Sequence, residues 1–317
     1  MIGVSELAKK LSEQKSVAIF CHVRPDGDAI GSICALKNIL QSIGVEVEIF
    51  CDDFIPERFS YLVNGINFSK TPNKQYSSVI SVDCAEIQRL GKYAEFFASQ
   101  KNSFNIDHHV SNTRFAKVNY VCDKSANALN VYDIAVALNA VIDKQTANLL
   151  ATGIMTDTGN FTHKNVGSEA LTVTANLVNL GANLNEIYYY NFVKQSKERA
   201  KLFGLVMKKL RYFYDDRFVV ATISLDDVKE SGAHPSETEG FVDFIMGIHT
   251  VEVGATVMEM EKNKYKISLR SKDANVNAVA SSFGGGGHIL ASGCQINGEY
   301  EEVIDRLAFA VSRELKD

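Results

Sequence analysis

The first half of the chain alternates short apolar runs with longer stretches of helical periodicity. Residues 17–21, 45–51, 79–82 and 103–106 have the length and apolar character of buried strands. Apolar positions recur three and four apart over 29–43, where Ile30, Ile33, Leu36, Ile39, Leu40 and Ile43 fall together, and again over 126–141, 144–155 and 169–180. These spacings predict helices. Gly44 and Gly181 follow two of them as C-caps would. The alternation predicts an α/β fold, with a parallel sheet carrying helices on both faces. Residues 186–212 read as a connecting helix, after which 217–224, 251–262 and 265–270 alternate like strands of a smaller α/β domain, with a helix over 275–282. The predicted organisation is a first domain over 1–185, a helical linker over 186–212 and a second domain over 213–317. No internal repeat or low-complexity segment interrupts it.

The apolar runs end on carboxylates and imidazoles. The run at 17–21 leads into His22-Val23-Arg24-Pro25-Asp26-Gly27-Asp28, that at 79–82 into Asp83, that at 103–106 into Asp107-His108-His109, and the stretch from Leu150 into Asp157. Open α/β sheets bind ligands at the carboxyl ends of their strands. Each cluster also has a plain structural reading. Pro25-Asp26-Gly27 is turn chemistry, Asp28 a helix N-cap, Asp83 with Glu86 a capping box, Asp107 a turn residue and Asp157 a cap. Four such clusters in one domain, two with histidine, exceed what unrelated caps would supply. Imidazole nitrogen and carboxylate oxygen without thiolate suit Mn²⁺, with Mg²⁺ or Co²⁺ as substitutes, better than a structural zinc.

Six motifs extend the pattern along the chain: HVRPDGDAIGS at 22–32, SVD ending at Asp83, NIDHHVSN at 105–112, MTDTGNF at 155–161, SLRS at 268–271 and FGGGGH at 283–288. On these the chain resembles the DHH phosphoesterases with their DHH-associated C-terminal domain. Its compact form is most similar to the bacterial nano-RNase and pAp phosphatase group, with enzymes that hydrolyse linear dinucleotides such as pApA close by. The resemblance implies hydrolysis of short oligoribonucleotides or 3′-phosphoadenosine 5′-phosphate by two-metal activation of water. His22 and Asp26 would hold one manganese ion, Asp28, His108 and Asp157 the second, and Asp83 would bridge them. His109 would contact the phosphate and protonate the leaving oxygen, and Asp107 would orient an imidazole. Arg270, Gly284, Gly285, Gly286, Gly287 and His288 would hold the nucleotide. A non-catalytic nucleotide sensor need not keep all six metal ligands, and a manganese pyrophosphatase would lack the glycine-rich motif. The chain departs from its relatives over Ser125-Ala126-Asn127-Ala128-Leu129-Asn130, where they commonly carry a Ser-Ser/Ala-Thr stretch and then an acidic residue. Substrate preference, more than metal binding, is expected to feel that change.

Composition narrows the partners. A net charge of −5 argues against holding long nucleic acid by phosphate neutralisation, leaving a short RNA or nucleotide as substrate. No apolar run approaches a membrane span, and the amino terminus reads as an amphipathic helix, so a cytoplasmic enzyme is expected. The six cysteines, at 21, 34, 51, 84, 122 and 294, show no CxxC spacing and read as free thiols. The basic stretch from Lys194 to Arg211 reads as a solvated helix face, and Tyr188-Tyr189-Tyr190 as packing residues. A monomer and a homodimer are both open.

Overall fold

The computed structural model describes residues 2–315. The chain divides into two compact units, Met1–Lys194 and Gln195–Asp317. In the first, the order is α1 (Val4–Ser12), β1 (Ser16–Phe20), α2 (Gly27–Ser42), β2 (Glu46–Phe50), β3 (Ser78–Val82), α3 (Ala94–Ser99), β4 (Ser103–Asp107), β5 (Val118–Val121), α4 (Asn127–Ala137), α5 (Lys144–Asp157), α6 (Ser168–Asn179) and α7 (Leu184–Tyr188). The five strands form one parallel sheet in the order β2-β1-β3-β4-β5. Strand order reverses at β1, which has β2 on one side and β3 on the other, so a crevice opens beyond the carboxyl ends of β1 and β3.

Both sheet faces are buried, as the near-continuous apolar strands require. Val17 and Ile19 point into a core built with α2, α4 and α5, whereas Ala18 and Phe20 pack with Phe50, Leu90, Tyr93 and Phe97 on the other face. Three glycines bring helices close there. A Cβ on Gly27 would strike Thr156, one on Gly31 the carbonyl of Leu149, and one on Gly153 would lie 2.6 Å from Asp28 Oδ1. This close passage of α2 against α5 carries Asp28 and Asp157 toward the same strand ends.

The second unit runs α8 (Lys197–Met207), β6 (Arg211–Phe213), β7 (Phe218–Ile223), α9 (Leu225–Ser231), α10 (Phe241–Met246), β8 (Val253–Glu261), β9 (Lys264–Ser271), α11 (Val276–Ser282), β10 (Gly286–His288), β11 (Ala291–Asn297) and α12 (Tyr300–Ser312). Its six-stranded sheet, β10-β11-β9-β8-β7-β6, is mixed, with only β7 and β8 parallel. An apolar layer including Val253, Val257, Ile267, Leu269, Val303 and Leu307 joins it to α11 and α12.

Two expectations change, and one strand was not foreseen. Residues 186–212 are not one helix: α7 gives way to a π turn over Tyr189–Val193, and α8 begins afresh with Ser196 as N-cap, its side chain accepting the Arg199 N–H. Helix α2 starts at Gly27 rather than Ala29, and its N-cap is Asp26, which accepts from Asp28 and Ala29, not Asp28. Strand β5 has only two buried residues and too weak an apolar pattern to be read beforehand. Among the described residues no helix is long and apolar enough to cross a membrane, and all six cysteines are unpaired.

Candidate metal centre

The carboxyl ends of β1, β3 and β4 and two helix ends bring eight side chains together. Groups within 4.8 Å of one another are His22, Asp26 and Asp83; Asp28, His108 and Asp157; and Asp83, Asp107, His108 and His109. Asp83 lies at the centre. It follows β3 in a left-handed conformation, φ 52°, that non-glycine residues adopt at a cost of about 1 kcal/mol or more. Its N–H is fixed on the Ile106 carbonyl, and the turn sends the carboxylate between two imidazoles. Oδ2 is 3.6 Å from His22 Nε2, and Oδ1 is 3.3 Å from His108 Nε2. Asp83 Oδ1 is nevertheless buried without a hydrogen-bond partner. An orphaned buried acceptor costs about 1–3 kcal/mol. A cation completes such an oxygen, so the donors present fit a divalent ion.

Each candidate ligand is oriented by the groups behind it. The carbonyl of Lys124 lies 3.0 Å from His108 Nδ1 and that of Val23 lies 2.8 Å from His22 Nδ1, so both rings can donate from Nδ1 and present the Nε2 lone pair to the centre. Asp26 spends Oδ1 on its helix cap and turns Oδ2 to within 3.8 Å of His22 Nε2. Asp28 is buried in the first turn of α2, where its oxygens accept the backbone N–H groups of Asn127 and Ala128 at the start of α4. Helix α4 has no side-chain cap of its own. Asp157 ends α5 with Oδ2 3.6 Å from His108 Nε2.

Asp107 stands behind His109. Its Oδ1 lies 2.8 Å from His109 Nδ1, and its Oδ2 accepts from Asn112, which also donates to Asn105 Oδ1 at 2.7 Å. Asn130 donates to the Asp107 carbonyl at 3.0 Å. Residues 125–130 thus contribute two backbone N–H groups to Asp28 and one amide to the Asp107 carbonyl.

The electrostatics are those of crowded ligands sharing protons. Burial opposes the charge on His108, but the carboxylates of Asp83 and Asp28 outweigh it and raise the imidazole to about 10. Burial would raise Asp83, yet His108 and His22 hold its carboxyl below the ordinary range. Burial and the charges of Asp83 and Asp157 push Asp28 up, and burial raises Asp157 to about 6 although His108 opposes it. The Asp107 hydrogen bond raises His109.

In the second unit, β-sheet register puts His288, Ala291 and Arg270 in one row across β10, β11 and β9. Arg270 Nε lies 3.3 Å from Asp243 Oδ1 and lines a cavity of about 500 Å³ with Lys266, Ser268, Thr256 and Met258. Lys266 and Ser268 also line a hollow of about 410 Å³ bounded by Gly284, Gly285 and Gly293. The glycine run turns at Gly284 and enters strand β10 at Gly286. A Cβ on Gly285 would lie 2.5 Å from Cys294 Cβ, and one on Gly287 2.6 Å from the Ala291 carbonyl, so those two glycines answer to β11. Gly284 faces open space, and a Cβ on Gly286 would meet only Asn277 Oδ1, at 3.9 Å.

Arg89, Asn105, Asn112 and Gly153 had not been singled out beforehand. The cations of the basic stretch are largely paired, Lys201 with Glu230, Lys209 with Asp227 and Arg211 with Glu301. Tyr190 stacks on Tyr61 at 4.0 Å within the first unit.

A parallel α/β domain with imidazole and carboxylate ligands at its strand ends, followed by a mixed-sheet domain bearing an arginine and a glycine-rich strand, defines a class. The DHH family, N-terminal domain, matches residues 16–154, and the DHHA1 domain matches residues 215–317. The chain belongs to the DHH family. It is 31% identical to the bifunctional oligoribonuclease and PAP phosphatase NrnA of Thermus thermophilus, over 98% of this chain and 93% of the relative. It is 25% identical to the Bacillus subtilis protein of the same name, over 92% and 93%. An exopolyphosphatase-related protein from Bacteroides fragilis shares the fold with a TM-score of 0.85 at 24% identity, over 98% of this chain and 95% of that one.

Proposed function

We propose that this chain is a phosphoesterase that hydrolyses short oligoribonucleotides and 3′-phosphoadenosine 5′-phosphate with two divalent ions, manganese by preference. The observation that carries the reading is Asp83, a buried carboxylate faced by His22 on one oxygen and His108 on the other, with Oδ1 lacking a hydrogen-bond partner. His22 and Asp26 would hold one ion, Asp28, His108 and Asp157 the other, and Asp83 both. When bound, such a pair supplies Lewis acidity and a water acidic enough to attack phosphorus at neutral pH. The Thermus thermophilus relative, named for both activities and alike over nearly the whole chain, supports the substrate class.

The protein's own groups do the rest. His109, held at Nδ1 by Asp107, carries its second N–H at Nε2, on a side chain one-third exposed. It donates that proton to the leaving oxygen. Arg270, with its forked donors, and His288, in the same row of the second unit's sheet, would contact the nucleotide, and Gly284 leaves backbone room there. Unpaired cysteines fit a reducing, cytoplasmic setting.

A turnover panel tests the reading. With Mn²⁺, a two-nucleotide RNA and 3′-phosphoadenosine 5′-phosphate should turn over with kcat/KM at least a hundredfold above a 24-nucleotide RNA and pyrophosphate. A dominant rate on pyrophosphate, or equal rates on short and long RNA, would overturn it. Preference for pApA would keep the chemistry and move the substrate to linear dinucleotides.

A further inference from the structure

The turn after Asp83 carries a cation that the metal ligands leave unexplained. Gly91 has φ of 61°, and a Cβ there would lie 2.7 Å from Val23 Cγ1, so the turn folds closely onto the loop between His22 and Asp26. The Val23 N–H donates to the Arg89 carbonyl at 2.7 Å, which fixes Arg89 beside that loop. The half-buried guanidinium then stands with Nη2 3.0 Å from His22 Nδ1. Among the described residues its side chain contacts His22 and forms no ion pair with a carboxylate.

These contacts cannot all be satisfied at once. The Val23 carbonyl, 2.8 Å from the same Nδ1, can only accept, and a guanidinium can only donate. With hydrogen on Nδ1, the ring bonds Val23, keeps a lone pair on Nε2 for a metal, and turns an N–H toward Arg89. With Nδ1 accepting from Arg89, the hydrogen sits on Nε2 and the ring cannot ligate there. Ligation through Nε2 therefore displaces the guanidinium from the ring, while the bond from the Val23 N–H keeps the Arg89 backbone beside the His22–Asp26 loop. A cation placed so, with two parallel N–H donors, matches a phosphate.

We propose that Arg89 is a substrate-binding residue that grips the phosphate being cleaved, and that metal ligation by His22 frees it to do so. The proposal rests on the metal-centre reading above and adds a link between metal loading and anion affinity.

The test uses the full chain, loaded with Mn²⁺ or stripped, as the parent and as Arg89→Ala and Arg89→Lys. Metal content is measured by elemental analysis and affinity for inorganic phosphate by calorimetry. The loaded Arg89→Ala protein should keep the parent's metal content and bind phosphate about tenfold or more weakly, with partial recovery in Arg89→Lys. Its KM for a dinucleotide should rise by more than kcat falls. Stripped of metal, parent and Arg89→Ala should bind phosphate equally weakly. Phosphate affinity within twofold of the parent in loaded Arg89→Ala would overturn the proposal. So would loss of metal with unchanged phosphate affinity per loaded chain, which would make Arg89 a support for His22. A parent that takes up no Mn²⁺ would overturn the underlying metal-centre reading, visibly and before any substitution is made.

Discussion

The Asp28 carboxylate accepts the backbone N–H of Ala128 at 2.9 Å, a contact between the first turns of two helices a hundred residues apart in sequence. With Asn127 it satisfies N–H groups at the start of α4 that no side chain of α4's own N-cap reaches. The proposed ligand is thus also a cap supplied from another element. Asp28→Ala should destabilise the metal-free protein by about 1–3 kcal/mol in urea unfolding, because two N–H groups lose their acceptor. Asp28→Asn, which keeps one acceptor but turns its NH2 toward the other N–H, should recover only part of that loss. Unfolding of Asp28→Ala at the parent's midpoint would show that the cap carries no stability.

This double role marks the limit of what the sequence discloses. The carboxylates and histidines at 22, 26, 28, 83, 107 to 109 and 157 were legible because each ends an apolar run, and strand ends are where open sheets bind ligands. Which residue caps α2 was not. Asp26 and Asp28 both suit the role, and only the α2–α5 approach through Gly31 and Gly153 decides that Asp28 turns inward. Arg89 was invisible because its place depends on the fold-back at Gly91. The break at 186–212 had a local signal in Ser196, a good N-cap residue, masked by helical spacing on both sides. The glycine run was read as giving room to a ligand, yet Gly285 and Gly287 are required by β11, a neighbour that periodicity does not reveal.

Protons and metal compete at the centre. His108 is raised to about 10 in the folded protein, so its charged form contributes stability present below about 6.5 and lost as pH rises toward 10. Asp157, raised to about 6, follows the same sign at lower pH, its contribution lost between roughly 4 and 6. Metal requires the deprotonated ligands. The rise in Tm caused by saturating Mn²⁺ should therefore grow from pH 6 to pH 9, and binding at pH 7.5 should release at least one proton, that of His108, read by calorimetry in buffers of different ionisation enthalpy. A Tm increment independent of pH would contradict the ligand set.

The Asp107 hydrogen bond raises His109. If His109 is the proton donor, activity falls as pH rises through its pKa. Asp107→Asn should move that basic limb to lower pH and lower kcat, with metal content unchanged. An unmoved limb would remove His109 from the proton's path.

Gly153 and Gly204 both lie inside helices and predict opposite outcomes. A Cβ at Gly153 would lie 2.6 Å from Asp28 Oδ1 and 2.7 Å from Ala128 Cβ, so Gly153→Ala should cost about 1–3 kcal/mol and weaken Mn²⁺ binding. Nothing lies within 4 Å of a Cβ at Gly204 on the exposed side of α8, and Gly204→Ala should stabilise by roughly 0.5–1 kcal/mol. Matching changes in thermal unfolding for the two variants would refute the close-passage argument.

The most direct test of the account is the count of manganese ions per chain in Asp83→Asn. Metal-free parent and variant, dialysed against the same Mn²⁺ concentration and measured by elemental analysis, should hold two ions and at most one ion per chain. The variant's hydrolysis of a dinucleotide should fall by several orders of magnitude while its circular dichroism matches the parent. Two ions in Asp83→Asn, or activity within tenfold of the parent, would contradict a centre built on Asp83.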